Sequence, residues 1–122
     1  MTKITKKFDS SVIIYESEKE TMKETVVEAV KKGISLRDSN LRYSNLSSSD
    51  LRDSDLSSSD LRDSDLSDSN LNDSDLSDSN LCYSNLRGSN FYHAKFYGRG
   101  GKTKIKKEQI ESFFEALGVI VE

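Results

Sequence analysis

The sequence predicts an all-β solenoid with a small closing element at each end. Three observations carry this: an apolar residue at every fifth position through the middle of the chain, a serine two places before most of them, and a change of composition on both sides. The apolar column is Leu36, Leu41, Leu46, Leu51, Leu56, Leu61, Leu66, Leu71, Leu76, Leu81, Leu86, Phe91 and Phe96. The small column is Ser39, Ser44, Ser49, Ser54, Ser59, Ser64, Ser69, Ser74, Ser79, Ser84 and Ser89, and each of these is followed by Asn or Asp.

A period of five suits neither regular element. On a helix turning about 100° per residue the leucines would smear around the cylinder. In a flat strand an odd period sends successive leucines to opposite faces. Ser and Leu are two apart and share a side, so a bend after each Leu returns the next pair to the same interior. The chain must wind, with one short strand and one corner per unit and the other three residues outward. Asn and Asp suit such corners because they bond their own backbone. A buried hydroxyl without a partner costs about 1–3 kcal/mol, and eleven of them would exceed a typical stability of about 5–15 kcal/mol. Each inward Ser hydroxyl is therefore expected to donate to a backbone carbonyl of its own or a neighbouring coil.

Units such as Ser49-Asp50-Leu51-Arg52-Asp53 resemble the pentapeptide-repeat family, whose pattern is a small residue, Asp or Asn, Leu, then two variable positions. The resemblance covers residues 34–98 and thirteen consecutive units. It implies a right-handed quadrilateral β-helix with four units per coil, here about three coils and about 15 Å long at the strand spacing of a sheet. One departure is that the small position, usually Ala in the family, is Ser in eleven successive units. Such uniformity fits an engineered, consensus-like or de novo repeat as well as a natural one of biased composition.

The ends read differently. Residues 1–33 are expected to form an N-terminal cap: Ile4, Lys6 and Phe8 alternate, Asp9-Ser10-Ser11 reads as a turn, and a second β-prone run starts at Val12. Thr21 with Glu24 forms a capping-box signature, Met22, Val26, Ala29 and Val30 line one helix face, and Gly33 follows the last basic turn. Residues 99–122 are expected to form a β-α-β cap. A strand at Thr103 to Ile105 is followed by a helix carrying Ile110, Phe113, Phe114 and Leu117, with Gly118 as its stop. Val119-Ile120-Val121 would then pair with the first strand. Gly98, Gly100 and Gly101 mark the join.

Catalysis has few groups to work with, and no enzyme activity, cofactor or metal is expected. The one histidine, His93, faces outward with Asp73 one coil away, and the one cysteine, Cys82, has Arg62 as its coil neighbour. A single cysteine makes no internal disulfide, no apolar run approaches membrane-spanning length, and a cytoplasmic setting with no membrane contact is expected. The Asp-rich run lacks the glycine turn and bidentate Glu of an EF-hand loop. Residues 34–98 carry eleven Asp against five Arg and one Lys, a net of −5. Some pentapeptide-repeat proteins are DNA mimics that bind DNA gyrase, a type II topoisomerase, so mimicry is the alternative function the resemblance offers. Duplex DNA carries a charge per about 1.7 Å, nearly twice the density of this shaft. No direct nucleic-acid binding is expected, since the overall sign is wrong. Outward Ser47 with Ser67 and Ser57 with Ser77 would stack as hydroxyl ladders of the kind ice-binding solenoids carry. Tyr43, Tyr83, Tyr92 and Tyr97 are candidate anchors for a protein partner. The primary reading is a non-enzymatic structural scaffold or protein-interaction module of unspecified partner. It is expected to be a monomer, with a homodimer through Phe113 and Phe114 of the C-terminal cap as the alternative.

Overall fold

The computed structural model describes residues 1–97 and 102–122. It opens on an antiparallel hairpin of β1 (Thr2–Lys6) and β2 (Asp9–Ser17), followed by helix α1 (Met22–Lys31). The hairpin reverses at Lys7-Phe8, earlier than the turn signal at Asp9-Ser10-Ser11 suggested. That signal is used inside β2 instead. The Asp9 carboxylate accepts from the Ser11 N–H and hydroxyl at 3.0 and 2.6 Å, and the register jumps from Thr5↔Ile13 to Lys6↔Asp9, so the Asx turn makes a bulge. Thr21 caps α1 by accepting from the Glu24 N–H at 3.1 Å, and Gly33, at φ +72°, supplies the left-handed residue that stops it. Val26 and Ala29 are fully buried in one cluster with Ile4 and Leu36.

The middle of the chain is a coil whose parallel bridges link residues twenty apart: Asn40↔Asp60↔Asn80, Asn45↔Asp65↔Asn85, Asp50↔Asn70↔Asn90 and Asp55↔Asp75↔Lys95. Four units therefore make one turn. Backbone N–H groups in a buried ladder must all find acceptors, and a typical interior unit shows where they go. In the unit built on Leu61, the Ser59 N–H closes the preceding corner on the Leu56 carbonyl. The Asp60 N–H bonds Ser39 O one coil before, while Leu61 and Asp63 donate to Asn80 O and Cys82 O one coil after. The fifth N–H, that of Arg62, has no backbone acceptor. It donates to Asp60 Oδ1 at 3.2 Å. The same Asx bond recurs at Asn40, Asn45, Asp50, Asp55, Asp65, Asn70, Asp75, Asn80, Asn85 and Asn90. The Asn/Asp column is thus the side-chain half of the backbone hydrogen-bond network.

Inside, the column from Leu36 to Phe91 is essentially inaccessible to solvent. Phe96, placed in the core by the sequence pattern, is only half-buried. It sits at the open end of the coil, where the cover comes from Phe113, centroid to centroid at 5.1 Å. The inward serines divide. Ser49, Ser59, Ser64, Ser74, Ser79, Ser84 and Ser89 donate to the Leu carbonyl of the unit before, and Ser69 donates across to Leu46 O of the neighbouring coil, at 2.5–2.7 Å. Ser39 and Ser54 are buried with no partner for their hydroxyls, and Ser44, 8% exposed, bonds no protein group among the described residues through its own, so the expectation of a bond at every site fails at these three. The corner N–H groups of Ser39 and Ser54 still bond Leu36 O and Leu51 O, so these corners close without the hydroxyl bond.

Each corner places its second residue in the left-handed region, with φ from +55° at Ser58 to +65° at Tyr83 among the non-glycine residues. Asp tolerates this region, and Gly88 is at home there, but a tyrosine is strained by about 1–2 kcal/mol. Tyr43 and Tyr83 both sit there.

The first coil is covered by the hairpin: Lys6 bridges Ser39, Asn40 N–H donates to Thr5 O and Lys7 N–H to Asp38 O, both at 2.8 Å. At the other end the expected β-α-β arrangement is replaced by a different one. Lys104 forms a parallel bridge to Asn80, its N–H bonds Ser79 O at 3.0 Å, and its carbonyl accepts from Leu81 at 2.8 Å. Thr103-Lys104-Ile105 therefore adds a further repeat unit, displaced by four residues, in which the Thr103 hydroxyl bonds Leu76 O as an inward serine does. A single 3-10 turn (Lys107–Gln109) leads into helix α2 (Ile110–Ala116). Val119-Ile120-Val121 is not a strand: it makes no bridge and is exposed, because the segment it was to pair with is already committed to the coil. The expected join at Gly98, Gly100 and Gly101 lies outside the described residues.

Candidate interaction faces

With four units per coil the outward residues fall on four faces, and the charge is sorted among them. One face carries the units of Leu41, Leu61, Leu81 and Ile105. It holds Arg42, Arg62, Lys104, Lys106 and Lys107 against Asp60 and Asp63, a net of +3. The opposite face, with Leu51, Leu71 and Phe91, and the next, with Leu36, Leu56, Leu76 and Phe96, hold Asp50, Asp53, Asp73, Asp38, Asp55, Asp75 and Asp78. Arg52, Arg37 and Lys95 offset part of this, leaving a net of −4. The shaft is therefore two-sided rather than evenly acidic. The extra cations come from the displaced unit, which reading the repeat as ending near residue 98 assigned to a separate cap.

Several charges are tied locally. Arg52 grips Asp50 through Nε and Nη2 at 2.8 and 2.7 Å, and this hydrogen bonding holds the Asp50 carboxyl down at about 2. Arg62 grips the mostly buried Asp60 in the same way at 2.9 and 2.6 Å and lowers it too. The Ser67 hydroxyl lowers Asp65. These pairs span two places along one strand, so the corner geometry itself presents the guanidinium to the carboxylate.

His93 Nδ1 does lie 3.5 Å from Asp73 Oδ1, and Tyr92 stacks on its ring at 3.9 Å between centroids. Both partners are mostly exposed at an open corner. Cys82 is half-buried and takes part through its backbone, its N–H on Asn80 Oδ1 and its carbonyl accepting from Asp63. Among the described residues no three His, Cys, Asp or Glu side chains converge on a metal position. The proposed hydroxyl ladders do not face solvent as free groups. Ser57 and Ser77 are fully buried, and these two with Ser47 and Ser67 give their hydroxyls to the Asx oxygen two residues before.

Two features escaped the sequence reading. Gln109, 7% exposed, plugs the open end of the coil: its Nε2 donates to Leu81 O and Ser84 O at 2.7 and 2.8 Å, and its Oε1 accepts from Tyr83 N and Lys106 N at 3.0 and 2.7 Å. A lone Gln carries no sequence signal of this role. The displaced unit did carry one, since Thr103-Lys104-Ile105 keeps the order small, polar, aliphatic. The C-terminal end also exposes Ile110, Phe114, Val119, Ile120 and Val121, while Phe113 turns inward onto Phe91 and Phe96.

Comparison with known proteins gives a consistent picture of the repeat. The pattern described as pentapeptide repeats matches in eight copies over residues 32–68 and 59–98. No curated protein matches the chain. Among solved structures, a trypsin-treated variant of QnrB1, titled a plasmid-mediated fluoroquinolone resistance protein, is 22% identical with a TM-score of 0.41. That match covers 68% of this chain and 44% of QnrB1, so this chain spans less than half of that protein's length. Alr5209, a pentapeptide repeat protein from Nostoc Pcc 7120, is 20% identical with a TM-score of 0.32, over 75% of this chain and 100% of that one.

Proposed function

We propose that this chain, which belongs to the pentapeptide-repeat family and so shares its right-handed β-helix, is a non-enzymatic scaffold that presents charged faces to a protein partner. One observation carries the reading: the recurring polar side chains with chemical potential are spent on the backbone. The Asn/Asp column caps corner N–H groups, and the inward serines bond Leu carbonyls. What is left for function is the pattern of charge and aromatics on the faces. The cytoplasmic setting belongs to the same proposal.

Five exposed apolar residues within the segment from Ile110 to Val121 favour a second copy docked through the C-terminal end over the monomer. Light scattering tests this directly: wild type is expected at twice the monomer mass and Phe114→Glu at the monomer mass. A monomeric wild type at high concentration would remove the dimer from the proposal.

The acidic side formed by Asp53, Asp55, Asp73, Asp75 and Asp78 favours a second reading, mimicry of DNA toward a type II topoisomerase. A supercoiling assay with purified gyrase separates the two. The scaffold reading predicts unchanged supercoiling at high micromolar protein; dose-dependent inhibition or protection would replace it with mimicry.

A further inference from the structure

We propose that the basic face is a docking strip for an extended acidic polypeptide that carries an apolar anchor. The chain as a whole is −3, yet this face is +3, and the two strained tyrosines of the coil lie on the same corner of it. Tyr43 is 70% and Tyr83 61% exposed, and each ring lies beneath a cation, Arg42 at 4.9 Å and Lys106 at 5.3 Å from its centroid. Nothing in the packing of the coil calls for an aromatic there: the equivalent corner positions hold Ser48 and Ser58 with φ of +56° and +55°. Strain held without a structural return is a mark of a recognition surface.

The strip has a defined start. A cleft of about 440 Å³ opens between the N-terminus of α1 and the first coil, lined by Thr21, Met22, Lys23, Arg42, Tyr43 and their neighbours. Met22 and Tyr43 supply apolar lining and Lys23 and Arg42 positive charge, a combination that suits one apolar side chain flanked by carboxylates. From Arg42 to Lys106 the column climbs three rungs, about 14 Å, the reach of about four residues of extended chain. Tyrosine and arginine are both enriched among the anchors of protein interfaces.

A peptide fits this strip better than a nucleic acid. Asp63 stands between Tyr43 and Tyr83 on the same corner, and Asp60 occupies the fork of Arg62. A phosphate chain, charged at every link, would meet Asp63; a peptide can place an uncharged residue there. The strip runs the length of the coil, from Met22, Arg42 and Tyr43 at one end to Lys104, Lys106 and Lys107 beside the C-terminal end, and its anchoring cleft at Tyr43 lies at the end away from Ile110 to Val121.

The test is fluorescence anisotropy at low salt with a short labelled peptide of Asp and Glu carrying one central Phe, with labelled oligothymidylate alongside. Wild type is expected to bind the peptide, and more weakly as salt rises. The double variant Tyr43→Ser with Tyr83→Ser should bind about tenfold or more weakly. Serine already occupies equivalent corners, so this variant is expected to fold, and an unchanged circular dichroism spectrum and melting temperature would establish it. Arg42→Ser should weaken binding, whereas Arg52→Ser on the opposite face should not. Absence of peptide binding to wild type, equal binding by the tyrosine variant, or tighter binding of oligothymidylate than of peptide would overturn the proposal.

Discussion

Replacing Gln109 by Leu isolates the closure of the solenoid from its core. The side chain is nearly buried and makes four bonds to backbone groups, so the question is which of those groups keep a partner without it. Leu81 O keeps two donors, the Ser84 N–H at 3.0 Å and the Ser84 hydroxyl at 2.6 Å. Tyr83 N, Lys106 N and Ser84 O are each left with none among the described residues. An unsatisfied buried polar group costs about 1–3 kcal/mol, and these lie at an end that water can partly reach, so about 1 kcal/mol each gives a loss of about 3 kcal/mol. Leucine has nearly the same volume and adds apolar contact, so cavity formation contributes little. For a chain of this size the loss corresponds to a fall in melting temperature of about 10–15 °C. Urea unfolding followed by circular dichroism gives the free energy directly, at unchanged dependence on denaturant concentration. A loss below about 1 kcal/mol would show that those groups are satisfied otherwise and would refute the plug. Gln109→Glu keeps both acceptor bonds but turns a carboxylate toward Leu81 O and Ser84 O. It is expected to be destabilised at neutral pH and to recover as acid protonates it.

Other outcomes follow from the same hydrogen-bond map. Ser54→Ala removes a buried hydroxyl with no partner and should stabilise by about 1 kcal/mol, whereas Ser74→Ala, which loses the bond to Leu71 O, should destabilise by about as much; chemical denaturation of the pair reads the opposite signs, and equal signs would contradict the map. Asn70→Ala orphans the corner N–H of Asn72 and should cost about 1–2 kcal/mol while Asn70→Asp costs less, again by denaturation. Asp50, Asp60 and Asp65 ionise more readily in the folded chain than at their ordinary value of 3.8. They therefore stabilise it above that pH and lose the contribution as pH falls through the folded values, down to about 2 for Asp50. Arg62→Gln returns Asp60 toward its ordinary value, so the acid unfolding midpoint should move to higher pH; an unmoved midpoint would show that the Arg62–Asp60 pair adds nothing to stability.

The coil was legible because its physics is local and repeated. One Leu, one Ser and one Asn or Asp in each five residues leave a single consistent path, and the hairpin, α1 and its Thr21 cap carry equally local signals. The C-terminal end was not legible for a physical reason. Thr103-Lys104-Ile105 has the alternation of any short strand, and only the unpaired edge of the preceding coil decides that it joins Asn80 rather than Val119-Ile120-Val121. Gln109 likewise gains its role from four backbone groups, three of them far away in sequence on the last full coil. The two-sided charge distribution needed the coil length, since Arg42, Arg62 and Lys106 are neighbours only after the chain has turned. The Asn/Asp column was read as bend-forming from its side-chain chemistry; that it supplies the one acceptor the ladder lacks appears only when every N–H of a unit is followed to its partner.

The most direct measurement of that ladder is the set of nuclear Overhauser contacts between backbone protons along the solenoid. Cross-peaks should link each unit to the one twenty residues on, Leu46 to Asp65 and Leu51 to Asn70 among them, following the bonds at 2.8 Å seen at both sites. Contacts confined to neighbours in sequence, or recurring at any other spacing, would contradict a coil of four units.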